Sequence, residues 1–297
     1  MPLQNLLINV DKPEGLTSRE VVSKVSRRLG VKKAGHCGTL DPIATGVLVV
    51  CTNQATRITS LVSDLPKTYQ ATMRLGQITD THDVLGTIVQ ETSDINLAVE
   101  KIQDAIKSFE GTILQVPPMF SAKKFQGRPL YKFARQGIEI QRQPTPIQID
   151  RITLDSYSTP FVTLTVLCSR GTYVRTLCHD IGINLGVGAH LLALRRLAVG
   201  PFTIEDSVTL ESLSLEGKGV YAMDKAISWL PEFPVKFLSV RKVKNGNPLK
   251  LTDLIYSPRN LSNGDLVKIM SPDKKLLAIG QYIEKEEFEI KMKIVFP

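Results

Sequence analysis

The residues whose types and spacing could do chemistry lie in three short stretches. The first is the loop Gly38-Thr39-Leu40-Asp41-Pro42, in which a carboxylate is bracketed by glycines at 38 and 46. An Asp before a Pro initiates turns, so a plain turn is one reading. The other is that a rigid sheet presents Asp41 to a ligand, between His36 and the strand that begins near Gly46. Acid–base glycoside chemistry uses two carboxylates, and Asp80 and Asp83 in T-D-T-H-D (79–83) are the available seconds. The third stretch is Ser169-Arg170-Gly171-Thr172-Tyr173-Val174-Arg175, which follows a strand pattern and opens a helical one. Its glycine and first free N–H groups could approach an anion, or could form an ordinary strand-to-helix turn. Arg175 stands one turn into a largely apolar helix with Val174, Leu177 and Ile181, a setting in which a guanidinium needs a carboxylate partner.

Other chemistries find no support. His36, His82, His179 and His190 are scattered, and no Ser or Cys has a local nucleophile motif such as G-x-S-x-G. Cys37, Cys51, Cys168 and Cys178 form no C-x-x-C pair, and no second Cys/His pair stands at finger spacing, so reduced and mostly buried thiols are expected rather than a structural zinc. Gly182, Gly186 and Gly188 follow a helix rather than a strand, which argues against a dinucleotide loop. Tyr69 and Tyr173, taken alone, read as core aromatics with a hydroxyl at the surface.

The elements that must position these groups can be read from periodicity. Leu6–Val10 is a short strand. Thr17-Ser18-Arg19-Glu20 is a capping-box start for a helix with Val22, Val25 and Leu29 on one face, ended by Gly30. A Gly/Thr/Pro-rich loop over 34–46 feeds the apolar strand Val47–Cys51, and Asn53–Val62 can be helical. Lys67–Leu75 alternates, with Tyr69, Ala71, Met73 and Leu75 on one face. Strands at Thr87–Glu91 and Thr112–Val116 enclose a helix near Leu97–Phe109. Residues 117–146 are proline-bounded, basic and dotted with Phe120, Phe125, Tyr131 and Phe133, which predicts an insertion with a short helix closed by Gly137. Strands at Ile147–Tyr157 and Phe161–Cys168 follow, then helical patterns over Thr172–Leu185 and His190–Leu197. W-L-P-E-F-P (229–234) punctuates the chain, and short strands joined by N-G-N-P, N-G-D and S-P-D-K turns predict a small C-terminal β module.

Composition narrows the partners. With 297 residues, 42% hydrophobic and 22% charged, the chain can bury one large core or two unequal ones, which excludes wholesale disorder. No stretch approaches the ~20 apolar residues of a membrane-spanning helix, and Asp11 and Lys12 interrupt any signal-peptide pattern, so a cytosolic protein is expected. The net charge is +8. Six basic residues between Arg19 and Lys33 face only Glu20, six between Lys123 and Arg142 face only Glu139, and five between Lys236 and Lys250 face no acid. Each block can be a solvated face; three separated blocks favour a long anion such as RNA.

Taken in order, the motifs resemble one family, the bacterial T-loop pseudouridine synthases of the tRNA pseudouridine synthase B type. The matching stretches are D-K-P-E-G-L-T-S (11–18), A-G-H-C-G-T-L-D-P-I-A-T-G (34–46), K-T-Y (67–69), R-L-G-Q-I-T-D-T-H-D (74–83), P-P-M-F-S-A-K-K (117–124), Y-K-F-A-R-Q-G-I (131–138), C-S-R-G-T-Y-V-R-T-L (168–177), G-A-H-L-L-A-L-R-R (188–196) and K-N-G-N-P-L (244–249). They run over nearly the whole chain.

The resemblance implies an α+β fold: a central mixed, mainly antiparallel sheet flanked by helices, with a small C-terminal PUA-like β-barrel. It implies a catalytic domain over 1–234 carrying an RNA-binding thumb at about 117–146, and a PUA-like RNA-binding domain over 235–297. The implied reaction needs no cofactor and no metal. Uridine-55 in the T loop of tRNA is flipped out, its N1–C1′ bond breaks, the uracil rotates while held, and C5 bonds to C1′. Asp41 matches the catalytic aspartate, acting as nucleophile at the sugar or base or as base at C2′. Arg175 matches its partner, which is expected to depress the carboxylate pKa, and Asp83 matches a further acid that balances Arg175. Tyr69 matches the tyrosine that stacks on the base, Tyr173 and Leu194 match pocket positions, His36 matches the wedge that fills the vacated space, and Lys124 matches the lysine of the thumb. Cys37 stands where threonine or another small residue is usual. The implied partner is the T arm and elbow of tRNA, with no membrane; a cytoplasmic monomer is expected.

Two other classes are compatible with the residues. A catalytically silent RNA-binding or RNA-folding protein of the same fold would not depend on Asp41, Tyr69 and Arg175, which are all intact. An N-glycosidase would use Asp41 with Asp80 or Asp83 and would release free uracil.

Overall fold

The computed structural model describes residues 5–256, 261–284 and 288–297. Residues 1–4, on which part of the reading of the N-terminal stretch falls, lie outside them. The chain divides into two compact units, one made of Ile8–Cys51 and Ile58–Val220 and the other of Met1–Leu7, Thr52–Arg57 and Tyr221–Pro297. Among the described residues no helix is long and apolar enough to cross a membrane.

The larger unit is α+β. The seven longer strands of its mixed sheet are β1 (Leu6–Lys12), β2 (Ala44–Thr52), β3 (Lys67–Leu75), β4 (Gly111–Gln115), β5 (Thr145–Ser158), β6 (Phe161–Cys168) and β7 (Ala189–Val199), in the spatial order β1-β2-β7-β3-β6-β5-β4. The pairs β7–β3, β3–β6, β6–β5 and β5–β4 are antiparallel, and β7–β2 is parallel. The alternation expected in β3 is realised: Tyr69, Ala71, Met73 and Leu75 are buried, and their neighbours are less so. Helix α1 (Ser18–Leu29) starts at a complete capping box between Thr17 and Glu20 and ends at Gly30, whose φ of 64° supplies the left-handed cap. It buries Ser18, Val21 and Val25; Val22 and Leu29, expected on the inner face, are half-buried beside it.

One expectation is overturned. Residues 190–197, read as helical, belong to strand β7, hydrogen-bonded to β3 on one side and β2 on the other. Ala, Leu and Arg favour helices locally, yet a central strand position decides against propensity. Register shifts between Leu191 and Ala193 and between Arg196 and Ala198 break the period of two, so the run carries no strand signature. This strand matters for the site. Its register sets Arg196 opposite Tyr69 of β3 and opposite Gly46 of β2, bringing together residues far apart in sequence. A Cβ on Gly46 would collide with the Arg196 backbone, and the residue's φ is 98°, so glycine is required there.

Helix α2 (Val99–Lys107) buries Ile102, Ala105 and Ile106. The insertion contains a two-stranded hairpin, Lys124–Phe125 with Arg128–Pro129, and helix α3 (Leu130–Ala134). It packs largely on itself: Phe125 meets Phe133 edge-on at 6.2 Å, Arg128 lies over Phe133 at 4.8 Å, and Arg135 lies over Tyr131 at 5.5 Å. Helix α4 (Val174–Asn184) carries Arg175 and buries Val174, Leu177, Cys178 and Ile181.

The smaller unit holds a four-stranded sheet of β8 (Glu232–Pro234), β9 (Leu266–Met270), β10 (Leu276–Ile283) and β11 (Glu289–Val295), in that order, with β8–β9 parallel and the others antiparallel. Its own core includes Phe233, Val235, Val243, Leu249, Leu254, Val267, Ile269 and Ile290.

Candidate active site

The loop between α1 and β2 is immobilised through its backbone. Ser18, the first residue of α1, both donates to the Leu40 carbonyl (3.0 Å) and accepts from the Leu40 N–H (2.8 Å). Gly15 N–H donates to the Pro42 carbonyl at 2.9 Å. The fully buried Lys12 directs its ammonium at the carbonyls of Pro13 (2.9 Å), Pro42 (3.2 Å) and Ala44 (2.6 Å). Burial pushes the Lys12 pKa down to about 8, with nearby Asp41 opposing the shift. On the other side of the loop, buried Arg196 donates to the carbonyls of Val47 (2.6 Å), Gly38 (3.2 Å) and Thr39 (3.5 Å). Two buried cations thus hold the loop by carbonyl groups on either side of Asp41, so its Cα has little freedom.

The Asp41 side chain remains 40% exposed and lies 3.4 Å from Arg175 Nη2. Arg175 is 7% exposed, and its Nη1 donates to Asp83 Oδ2 at 3.1 Å; Asp83 is 6% exposed. The other Asp83 oxygen accepts from Thr81 Oγ1 (2.7 Å) and from Leu85 N–H (3.1 Å). Arg175 Nη2 also donates to the carbonyl of Phe120, at the start of the insertion, at 2.6 Å. One guanidinium therefore bridges an enclosed carboxylate and an open one. Two acids against one buried base leave the trio with one negative charge, and its exposed end is Asp41.

Arg175 lowers the Asp41 pKa, as expected of a guanidinium partner, but the net shift is upward. Most of what surrounds the carboxyl is protein, and this desolvation pushes its pKa above the ordinary aspartate value; Arg175 and Lys12 pull it down, while Asp83 adds to the rise. Burial outweighs the ion pair.

The structure places the other sequence-derived residues as follows. Tyr69 is buried on β3, with the Arg196 guanidinium 6.0 Å from its ring centre, and burial pushes its hydroxyl pKa up. Leu194 is half-buried on β7 in register with Ala71. Tyr173 caps α4; its N–H donates to Gln115 Oε1 (2.8 Å) and its carbonyl accepts from Gln115 Nε2 (3.1 Å), so buried Gln115 fixes the entry to the helix that carries Arg175. His36 is half-buried at the head of the Asp41 loop, and burial, then Arg196 and Arg19, lower its pKa. Lys124 is exposed on the insertion hairpin. Asp41, Asp83 and Arg175 are thus in direct contact. Asp80 is not with them: it is exposed, and its carboxylate accepts from Thr87 N–H at 2.8 Å. Asp83 is enclosed and has both oxygens engaged by Arg175 and two further donors, so it does not face Asp41 across an open cleft as the second carboxyl of an acid–base glycosidase would.

Sequence reasoning assigns nothing to Lys12, Ser18, Gln115 or Arg196. The first, second and last lie inside the family motifs, but their partners are backbone carbonyls and N–H groups, which leave no mark in a sequence. No local pattern marks them either: Lys12 follows Asp11 beyond the strand read over Leu6–Val10, and Arg196 falls in a run that reads as helical. Among the described residues no cluster of three or more His, Cys, Asp or Glu could hold a metal ion. All four cysteines are free and buried, and Cys37 Sγ lies 3.2 Å from Cys51 Sγ.

Residues 26–174 match the model of the TruB family pseudouridylate synthase (N terminal domain), and residues 175–224 match the tRNA pseudouridylate synthase B C-terminal domain. The chain is 41% identical over 284 residues to the tRNA pseudouridine synthase B of Syntrophotalea carbinolica, covering 94% of this chain and 92% of that protein. It is 40% identical over 292 residues to that of Clostridium kluyveri, covering 98% and 99%. Among solved structures, it is similar to one titled as a Cbf5-Nop10-Gar1 complex (31% identity, TM-score 0.78, 99% of this chain and 85% of that one). It is also similar to one titled as an H/ACA RNP bound to a substrate RNA containing 2′-deoxyuridine (29%, TM-score 0.77, 99% and 86%).

Proposed function

The chain belongs to the TruB family of pseudouridylate synthases, and from that premise we propose that it isomerises uridine-55 in the T loop of tRNA to pseudouridine through the carboxylate of Asp41. The observation that carries this reading is the trio itself: a partly open carboxylate on an immobilised loop, 3.4 Å from a guanidinium whose other face is already occupied by buried Asp83.

The reaction is internal to one nucleotide. The N1–C1′ bond breaks, the uracil turns, C5 bonds to C1′, and the product carries a proton on N1 in place of the one lost from C5. No atom enters or leaves overall, so the protein has to provide one anion of fixed position and a pocket that keeps the detached base from escaping. Asp41 acts on the sugar or the base as nucleophile, or on C2′ as base; each of these requires its ionised form. Arg175 stabilises that form, and because Asp83 neutralises Arg175 on its buried side, the guanidinium stays in place when Asp41 changes charge. Tyr69 stacks on the uracil, and Tyr173 and Leu194 complete its pocket. A base taken out of a folded loop loses a few kcal/mol of stacking, which these contacts must offset, while His36 fills the space it leaves.

The basic, aromatic insertion over 117–146, with Lys124, closes on the RNA as a thumb. The catalytic domain spans 1–234, and residues 235–297 form a PUA-like RNA-binding domain. Phosphate contacts from the exposed cations supply most of the affinity for the T arm and elbow. The protein works as a cytoplasmic monomer.

The test is incubation of an unmodified tRNA transcript with the protein alone, followed by carbodiimide labelling to map pseudouridine. The reading expects a single labelled site in the T loop. Release of free uracil would point to an N-glycosidase, and an unchanged transcript would contradict catalysis altogether.

A further inference from the structure

Loop 79–83 and helix α4 meet twice. The first meeting is the Asp83–Arg175 ion pair. The second lies one residue back on the loop and one helical turn on along α4, where the imidazoles of His82 and His179 are stacked with ring centres 3.9 Å apart and planes within 1°. Residues 175 and 179 are neighbours on one helix face, and residues 82 and 83 are adjacent in the chain. The two contacts therefore run side by side between the same two elements.

The stack is built at some cost. His82 has a φ of 64°, a left-handed conformation that only a few non-glycine residues accept. Both Nδ1 atoms are buried and without a hydrogen-bond partner. Burial lowers both pKa values, that of His82 to about 4, with His179, Arg175 and Arg142 adding to the effect and Asp83 opposing it. Both rings are thus neutral near pH 7 and can lie face to face without charge repulsion. On the far side the loop is secured to β7, where Leu191 N–H donates to the His82 carbonyl at 3.0 Å, and Thr79 Oγ1 holds the Asp83 carbonyl at 2.7 Å. Both histidines line a cavity of about 690 Å³ beside the insertion. One side of the pair is therefore unsupported by packing.

An ion pair through a long arginine side chain fixes one point between two elements but not the angle at which the loop lies against the helix. A second, flat contact one turn away fixes that angle as well. We propose that His82 and His179 are positioning residues, whose stack locks α4 against loop 79–83 so that the Arg175 guanidinium spans Asp83 and Asp41 at once.

The inference rests on the proposed reaction for its kinetic arm, and a second arm is independent of it. His179→Ala removes the ring; His179→Phe keeps a flat ring of similar size. With unmodified tRNA transcript, His179→Ala is expected to lose about tenfold or more in kcat, with KM changed less than twofold, and His179→Phe to recover most of it. His82→Asn, which tolerates the left-handed backbone but lacks the ring, is expected to behave like His179→Ala. Hydrogen–deuterium exchange of the peptides covering 174–184 and 79–85 is expected to rise in His179→Ala and to return in His179→Phe. Unchanged kcat in His179→Ala, a loss in His179→Phe as large as in His179→Ala, or unchanged exchange in both peptides would each overturn the proposal. If the wild-type protein makes no pseudouridine, the proposed reaction fails, and the exchange arm still decides whether the stack locks the helix. If His179→Ala does not fold, the kinetics and exchange of His82→Asn decide in its place.

Discussion

Two sets of cations in the larger unit are used in opposite ways. Lys12, Arg175 and Arg196 are buried, each with defined partners: carbonyls around the Asp41 loop for Lys12 and Arg196, and two carboxylates and a carbonyl for Arg175. Lys123, Lys124, Arg128, Lys132 and Arg135 of the insertion are exposed, and Arg128 and Arg135 rest on aromatic rings. A buried cation is costly to desolvate and is held by fixed partners, so it fixes the geometry of one anion. An exposed cation costs little, stays mobile and attracts any phosphate within a Debye length. Under the proposed function the first set serves turnover and the second affinity, and substitutions should separate the two.

The sharpest separation is at Asp41. Asp41→Asn removes the one open charge while leaving the exposed cations intact, so turnover on a tRNA transcript should fall by ~10³-fold or more, with RNA affinity in a filter-binding assay held within about twofold. A parallel loss of affinity would break the comparison.

The buried set carries stability as well. Asp83→Asn leaves Arg175 with a single, half-open carboxylate, and breaking a buried pair from one side costs about 3–5 kcal/mol, which urea denaturation should register. The same measurement on Lys124→Ala should move by less than about 0.5 kcal/mol.

The pH dependence sharpens the first half of the comparison. Burial raises the Asp41 pKa, so at a given acidic pH a smaller fraction is ionised than for a free aspartate. Single-turnover rates should therefore rise with pH and reach their plateau above the pH at which an ordinary aspartate, with a pKa of about 3.9, would have done so. An acid limb at or below that value would mean that the arginine outweighs burial.

The smallest effects belong to the insertion. Lys124→Ala and Lys132→Ala should each weaken RNA binding a few-fold and reduce the slope of log K against log salt by about one for each phosphate left without its cation, with kcat unchanged.

Much of this is legible in the chain, and what is not has identifiable causes. The capping box at Thr17 and Glu20 and the alternation of Lys67–Leu75 are local signals, and the structure carries both. Strand β7 reads as a helix because its two register shifts erase the alternation, leaving a run of good helix formers. Asp41, Asp83 and Arg175 can be singled out by motif, but the grip on their loop cannot. Lys12 and Arg196 act on carbonyl groups, and which carbonyls come within reach depends on the register of β2 and β7. The sign of the Asp41 shift escapes the sequence for a related reason: a partner charge can be inferred from a motif, whereas desolvation sums over everything folded around the group.

The central claim is that Arg175 sustains the charge of Asp41 against the burial that opposes it. The direct measurement is a ¹³C NMR titration of the Asp41 side-chain carboxyl in the wild-type protein and in Arg175→Gln. The account predicts a wild-type pKa above that of an ordinary aspartate and a higher one still in the variant, since removing the guanidinium takes away the largest influence holding it down. An Asp41 that titrates at the same pH in both proteins would show that the two groups, although adjacent, do not act on each other, and the account would be wrong.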